Sequence, residues 1–276
     1  IGVSKKKNRK KHLFLDNTKI QVKNISPYLS SGVFVIVSKR AECLGNLPKM
    51  VSGNMALDDG HLLFDNDTKE KYLLSNPDGA KFILETTGGK EFINDVKRWC
   101  LWIENQELEE AMSIPFIKSR VNKCKEFREN GGQVAVTLSK RAHQFRYRHR
   151  ALENQIIIPQ TTSVNREYIP FGFFNKDVII QQSAQVIYDP PIYLLGILSS
   201  KIHLLWVKEV GGKQRKDIRY SPMLCYNTFP FPNISIHRKE ELTQCTLRIL
   251  DERLKHSEKT LAQLYDPDKM PEGLKE

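Results

Sequence analysis

The spacing of hydrophobic residues changes period along the chain, and this change constrains the fold more than any other feature. Over residues 108–127 apolar side chains recur every three or four positions, which is typical of an amphipathic helix. Over residues 156–188 the apolar runs are short and separated by turn residues, which is typical of strands. Helical spacing returns over residues 191–207 and 239–265. This order predicts an α+β fold, a mixed β-sheet with packed helices that is followed by a long C-terminal helix.

Local signals give finer predictions. Asp65 or Asp67 is expected to cap a helix that runs to residue 74, because aspartate accepts hydrogen bonds from the first free amides of a helix. Pro115 is expected to break the helix at residues 108–127. Strands are predicted at residues 33–37, 156–158, 168–174, 178–180 and 185–188, and an extended chain at residues 213–232.

Positive charge is concentrated in three segments of a chain whose net charge is +11. Residues 1–12 hold six Lys or Arg and no acid, residues 118–150 hold ten against two Glu, and residues 201–219 hold six against two. No apolar run reaches the ~18 residues that a membrane-spanning helix needs. A basic protein of this kind most often contacts nucleic acid. We therefore expect a nucleic-acid partner and no membrane, with the first basic run acting as a linker.

The consecutive residues Asp189, Pro190, Pro191 and Ile192 raise the question of catalysis. Enzymes that methylate the amino group of adenine or cytosine carry an Asp/Asn-Pro-Pro-aromatic loop, whose ring stacks on the flipped-out base. Ile192 has no aromatic face, and no glycine pair of the chain belongs to a G-x-G turn that could bind the methyl donor. A catalytic loop and an architectural junction between strand and helix both stay open, and the second is favoured.

The cysteines and histidines do not indicate a metal site. The five cysteines are scattered, with no two inside four residues, and the seven histidines form no ligand-like spacing. Thiols of this kind are typical of a reducing cytoplasm, so we expect a cytoplasmic protein. The chain begins without Met and without a signal peptide, and we expect it to be part of a longer protein.

Ten unusual strings occur in a fixed order. They are PKMVSGN at 48–54, DDGHLLF at 58–64, KEFIN at 90–94, RWCLWI at 98–103, SIPFIKSRV at 113–121, IIIP at 156–159, REYIPFGF at 166–173, GILSSKIHLLWVKEVGG at 196–212, RYSPMLCYNTFPFP at 219–232 and LYDPDKMP at 264–271. Together they resemble the C-terminal part of MmeI-like DNA methyltransferases, which are type IIG restriction-modification enzymes and their nuclease-free relatives. The resemblance covers residues 18–271.

The resemblance implies an organisation into three parts. Residues 1–17 would be a basic linker from the catalytic domain, residues 18–235 the target-recognition domain, and residues 236–276 the start of a C-terminal helical segment. The family's catalytic loop and glycines precede this region, so the chain itself is expected to be non-catalytic and to hold no cofactor or metal. The parent enzyme would be an adenine-specific methyltransferase that uses S-adenosylmethionine.

The expected partners are double-stranded DNA and the parent's own methyltransferase domain. The implied function is recognition of a DNA sequence on behalf of that domain. Two alternatives stay open. One is a complete or permuted methyltransferase that uses the Asp189 loop, and the other is a separate specificity subunit similar to those of type I systems.

Base reading needs side chains that form paired hydrogen bonds, such as Arg with guanine and Asn or Gln with adenine. These requirements, together with the charged segments, give candidates on either side of the strand predicted at 156–158. The base-reading candidates are Arg146, Arg148, Gln160, Thr161, Ser163, Asn165 and Arg166. The phosphate-binding candidates are Lys118, Arg120, Lys140, Arg141, Lys213, Arg215 and Lys216. For Arg166 an ion pair with Glu167 or another acid is the competing interpretation.

Overall fold

The computed structural model describes residues 10–15, 18–26, 31 and 36–275. Its strands are β1 (Lys11–Leu15), β2 (Thr18–Val22), β3 (Met50–Ser52), β4 (Leu63–Asp65), β5 (Ile83–Thr87), β6 (Arg98–Leu101), β7 (Asn154–Pro159), β8 (Thr161–Thr162), β9 (Gly172–Asn175), β10 (Val178–Ile180), β11 (Ala184–Tyr188), β12 (Gly212–Gln214) and β13 (Asp217–Arg219). Its α-helices are α1 (Asn66–Ser75), α2 (Gly89–Asn94), α3 (Leu108–Ser113), α4 (Pro115–Glu129), α5 (Gln133–Ser139), α6 (Tyr193–Leu198), α7 (Lys201–Val210), α8 (Ile236–Leu254) and α9 (Leu261–Leu264).

The strands in this part of the chain form four small sheets, and the fold is α+β as predicted. The strand orders are β1-β2, β10-β5-β6-β4, β3-β11-β7-β9 and β12-β13-β8. Strand β10 runs parallel to β5, and the other neighbours within the sheets are antiparallel. Strands β10 and β11 follow each other in sequence but belong to different sheets, so residues 181–183 join the two four-stranded sheets.

Two hydrophobic cores lie on either side of this joint. The first packs the sheet that contains β5 and β6 against α1, α3 and α4, with Phe82, Leu62 and Ile117 fully buried. The second packs β7 and β11 against α6 and α7, with Ile156 and Ile187 fully buried. Helix α8 lies on α6, where Gly196 meets Thr246 so closely that an added Cβ would come within 2.4 Å of the threonine Oγ1.

Arg128 of α4 is fully buried inside the first core region. A guanidinium group has five N–H donors, and each of them reaches a backbone carbonyl oxygen. The acceptors are Leu57 at 2.9 Å, Ala56 at 2.9 Å, Leu138 at 3.1 Å, Arg141 at 3.0 Å and Gln144 at 2.7 Å. Burial lowers the pKa of Arg128, but a guanidinium remains charged at neutral pH. This residue of the basic segment 118–150 therefore holds loops together inside the protein.

Several local predictions are confirmed. Asp65 caps α1 by accepting a hydrogen bond from the Thr68 amide at 2.8 Å. Pro115 separates α3 from α4 and occupies the first turn of α4, where its missing N–H is not needed. Strands β7, β10 and β11 lie where strands were predicted.

Other local predictions are wrong in extent. A strand was predicted at residues 168–174, but only its last three residues lie in a strand, β9. Pro170, which lies between the buried Ile169 and Phe171, has no backbone N–H to form a hydrogen bond with a neighbouring strand. The helical stretch at 191–207 is divided into α6 and α7, because Ser200 caps α7 through the His203 amide. The extended chain predicted at 213–232 contains a π-helical turn at Pro222–Tyr226.

The long C-terminal helix is also interrupted. Helix α8 ends at Leu254, and turns follow before Thr260 caps α9 in a capping box with Gln263. Of the strand predicted at 33–37, residues 33–35 lie outside the described part, and Ile36 and Val37 are not in a strand. The domain boundaries stay predictions. The one at residue 17 falls between the paired strands β1 and β2, and the one at residue 235 coincides with Ser235, the cap of α8.

Candidate nucleic-acid interface

Two side-chain hydrogen bonds start from the residues where strand β7 ends and strand β8 begins. The Gln160 side chain donates from Nε2 to the Gln182 carbonyl oxygen at 2.7 Å, and the Thr161 hydroxyl donates to Oε1 of Gln214 at 3.1 Å. The Gln160 carbonyl accepts from the Tyr220 amide at 2.8 Å, which fixes its backbone to the segment after β13. We call Gln160, Thr161, Gln182 and Gln214 the polar strip. It contains amide and hydroxyl groups on a backbone that is held in place.

The strip adjoins an exposed hairpin that carries positive charge. Strands β12 and β13 pair around the two-residue turn Arg215-Lys216, and β13 also pairs with β8. Lys213, Arg215, Lys216 and Arg219 are exposed, and none of them forms an ion pair within the described chain. We call residues 212–219 the basic hairpin. Its unpaired cations are free to neutralise phosphates.

The residues after β8 form a compact turn. The Ser163 hydroxyl accepts from the Asn165 amide at 3.3 Å, and Arg166 donates to Oγ1 of Thr162 at 3.2 Å. The ion pair considered for Arg166 is not formed with any described acid, although Asp217 is near enough to act on its charge. Burial lowers the pKa of Arg166, and Asp217 opposes that shift. Ser163, Asn165 and Arg166 thus lie at one end of the polar strip.

Arg146 and Arg148 lie on a separate segment, after α5. Arg148 forms a bidentate pair with Glu104 at 2.8 and 3.1 Å, and its guanidinium lies 4.5 Å from the Trp102 ring centroid. Arg146 lies 4.8 Å from the ring centroid of Tyr147 and is half-buried. Both arginines are therefore held by neighbours, which preorganises their side chains but occupies part of their donors.

Asn54 connects this segment to the polar strip. Its buried side chain accepts from the His149 amide at 2.5 Å and donates to the His149 carbonyl at 3.0 Å. Its backbone carbonyl accepts from the Gln182 amide at 2.8 Å. One asparagine thus links the segment that carries Arg146 and Arg148 to Gln182 of the polar strip. Rings and cations alternate over residues 145–150 (FRYRHR), but Phe145 is buried against Trp102, so these six residues do not form a continuous exposed surface.

The remaining phosphate candidates differ in their surroundings. Lys118 and Lys140 are exposed. Arg120 donates to the carbonyl oxygens of residues 60, 61 and 63, at 2.9, 2.6 and 2.9 Å. Arg141 donates at 2.9 Å to each of two carbonyls, those of residues 145 and 146. A phosphate contact by either arginine would have to share these donors, whereas the two lysines are available as they stand.

Asp189 has a defined structural task. Its carboxylate accepts from the amides of Leu152 at 3.0 Å, Glu153 at 2.8 Å and Asn154 at 3.3 Å. Its backbone is left-handed, with a φ of 48°, which aspartate tolerates better than most residues. Burial acts to raise the pKa of Asp189, but the three amide donors outweigh it and the pKa is lowered. This arrangement supports the architectural interpretation, since an amino group of a base would have to displace these amides.

Comparison with known proteins identifies the family. Residues 31–233 match the family described as MmeI, target recognition domain. The chain belongs to this family. It is 43% identical over 270 residues to DNA methyltransferase A of Bacillus subtilis (strain 168). The matched region covers 96% of this chain and 30% of that relative. It is also similar to the solved structure of the type IIL restriction-modification enzyme MmeI in complex with DNA, with a TM-score of 0.86, 34% identity, and coverage of 93% of this chain and 34% of that one.

The chain thus spans about a third of the length of the relatives it matches. Sequence reasoning about this target recognition domain missed two members of the polar strip, Gln182 and Gln214. Gln182 lies between two predicted strands in the string QQS, and polar residues on a short inter-strand turn were the signal available for it. Gln214 lies between Lys213 and Arg215, and no sequence signal relates it to Thr161.

The described part of the domain contains no helix long and apolar enough to cross a bilayer. It also contains no cluster of three or more His, Cys, Asp or Glu side chains arranged to hold a metal ion.

Proposed function

We propose that this chain reads the DNA target sequence for an adenine-specific DNA methyltransferase of the restriction-modification type. The observation that carries the proposal is the polar strip beside the unpaired cations of the basic hairpin, in a chain of the MmeI target recognition domain family. Cations that bind phosphates position a duplex without regard to sequence, and amide or guanidinium groups beside them discriminate bases. Both kinds of group are adjacent here, as a sequence reader requires.

The division of work follows from the surroundings of each residue. Lys213, Arg215 and Lys216 contact phosphates, as do Lys118 and Lys140. Gln160, Thr161, Ser163, Asn165 and Arg166 read base edges from the strip and the turn after β8. Arg146 and Arg148 contribute from the segment that Asn54 joins to the strip. Arg120 and Arg141 act mainly by bracing the loops whose carbonyls they bind.

The chemistry is carried out elsewhere in a longer protein. The chain aligns with less than a third of a curated DNA methyltransferase, so we propose that the parent's methyltransferase domain binds S-adenosylmethionine, which supplies the methyl group. The recognition domain holds double-stranded DNA so that this domain can extract and modify an adenine. The parent works in the cytoplasm, with or without a nuclease domain. Asp189 takes no part in the transfer.

The test uses the full-length protein that contains this chain. It is expressed in a host that lacks DNA methylation, and the host genome is sequenced by a method that detects methylated adenine. A single short motif with methylated adenine is the expected result. Methylation at cytosine, or no motif despite a folded and DNA-bound protein, would contradict the proposal.

A second measurement isolates recognition from chemistry. The full-length protein is bound to duplexes that carry the motif or a version with one base pair changed. Each changed pair is expected to weaken binding by roughly 5- to 100-fold, the discrimination that one paired hydrogen-bond contact gives. Equal affinity for all duplexes would show that sequence is read elsewhere.

A further inference from the structure

We propose that Gln182, on the joint between the two sheets, reads an adenine through the major groove. This inference rests on the proposed function and adds to it a reading residue in a different loop from the β8 turn. An adenine presents an acceptor, N7, and a donor, the N6 amino group, on its major-groove edge. A glutamine amide presents one donor and one acceptor at the matching spacing.

The backbone of Gln182 is fixed from both directions. Its amide donates to the Asn54 carbonyl at 2.8 Å, and its carbonyl accepts from Nε2 of Gln160 at 2.7 Å. The preceding residue is tied as well, because Gln181 donates from its amide to the Thr87 carbonyl at 2.8 Å and from its side chain to Oγ1 of Thr86 at 3.0 Å. A reading residue must be held in register with the DNA, and this backbone is held by Asn54, by the Gln160 side chain and, through Gln181, by strand β5.

The side chain of Gln182 is the free part of the residue. It is exposed, and it makes no hydrogen bond to any described residue. The neighbouring glutamines differ in this respect: Gln155 donates to two backbone carbonyls, and Gln181 donates to Thr86. Gln182 therefore combines a fixed backbone with an amide group whose donor and acceptor are both available.

The electrostatic setting suits a duplex. Gln182 belongs to the polar strip, whose member Gln214 lies on the basic hairpin. Next to Gln182, the Ser183 hydroxyl accepts from the Gly89 amide at 3.2 Å, and the residue after that glycine, Lys90, is exposed. Within the described residues neither Lys90 nor the hairpin cations form ion pairs. Exposed cations thus lie on two elements linked to Gln182, although the Glu91 carboxylate also lies near Ser183.

The experiment compares variants of the full-length protein on duplexes that differ from the methylated motif at one position. Q182A is expected to lose about 5- to 100-fold of the preference for an A·T pair at one position, with the other positions unchanged. Q182E replaces the donor by an acceptor, so that position is expected to shift towards cytosine, whose N4 amino group donates. Q244A, at an exposed glutamine of α8, is the matched control and is expected to behave as the unaltered protein.

The outcomes separate this inference from the proposal beneath it. Loss of preference at one A·T position in Q182A, with the control unaffected, supports it. If Q182A and Q182E both keep the original preference at every position, the inference is overturned and the proposed function is left intact. The same holds if the variants lose the same factor of affinity for all duplexes. An unaltered protein that prefers no sequence overturns the proposed function, and the inference fails with it.

Discussion

The Arg128 guanidinium donates a hydrogen bond to the Gln144 carbonyl oxygen across 2.7 Å, and so ties helix α4 to the segment that leads to Arg146 and Arg148. Four further carbonyls accept from the same side chain. One buried cation therefore supplies partners to five backbone carbonyls, which would otherwise be costly to bury. The positions of two base-reading candidates depend on it.

R128M should therefore destabilise the protein severely. Methionine fills similar space but donates nothing, so the free energy of unfolding is expected to fall by about 3–5 kcal/mol. Thermal melting should show this as a decrease in Tm of roughly 10 °C. K123M, at an exposed lysine of the same helix, removes a charge without removing a hydrogen bond and should leave Tm nearly unchanged. Equal melting of both variants would show that the carbonyls find water instead.

Asp189 should be dispensable for methylation. Because its carboxylate caps three amides, D189A is expected to lower stability by about 1 kcal/mol, the usual cost of losing such a cap. D189N keeps one acceptor oxygen and should lose less. Methylation by the full-length protein should stay within a few-fold of the unaltered protein in both variants. A loss of about three orders of magnitude with intact DNA binding would restore the catalytic interpretation.

The same residue gives a pH dependence. Three amide donors, outweighing the opposing effect of burial, hold the folded-state pKa of Asp189 below its usual value of 3.8. Its contribution to stability is therefore complete above the unfolded-state pKa and is lost as pH falls through the folded-state value. The stability difference between the unaltered protein and D189N should be constant above about pH 5 and shrink below about pH 4. Urea unfolding over this range measures it, and a difference that widens in acid would contradict the assignment.

The basic hairpin should govern the salt dependence of DNA binding. With ~6 phosphates neutralised, log K should fall with log salt at a slope of about −5. The triple variant K213A/R215A/K216A should make this slope shallower by about 0.9 for each phosphate that is no longer neutralised, and should weaken binding to all sequences alike. The control K71A/K123A/K176A removes equal charge from three other exposed lysines. If both triple variants shift the slope equally, the effect comes from net charge and the hairpin has no special part.

The turn after β8 should affect sequence preference rather than affinity in general. Asn165 is exposed, and N165A is expected to relax one position of the methylated motif by roughly 5- to 100-fold. R166A should relax a position at which guanine is preferred. N233A changes an exposed asparagine before α8 and is the matched control. Sequencing of methylated host DNA checks all three, and an unaltered motif in both turn variants would move base reading to the 146–149 segment.

Much of the fold is local enough to be predicted from sequence. The cap at Asp65, the break at Pro115 and strands β7, β10 and β11 each depend on the residues within a few positions of them. The failures are also local in origin. A serine at 200 and a threonine at 260 start new helices inside runs whose apolar spacing looks continuous, because a hydroxyl cap competes with helix propagation.

The candidate site was harder to predict because its members meet only through the fold. Thr161 and Gln214 are far apart in sequence, and pairing of β8 with β13 brings them together. Charge counting identified the basic hairpin, but it could not separate exposed Lys118 from buried Arg128 on one helix. A cation such as Arg128 is buried where backbone carbonyls that are distant in sequence come together in the fold. The spacing of residues in the sequence does not predict that arrangement.

The joint at residues 181–183 has a consequence for how a DNA reader of this kind can diversify. Strand β10 belongs to one sheet and β11 to the next, so Gln182 is held on a three-residue joint between the two four-stranded sheets. On the proposed function, the two sheets set the spacing between the base pairs that are read. The base preferred at each position then depends on a single exposed side chain such as Gln182, so a point mutation would change one position of the motif without changing its length.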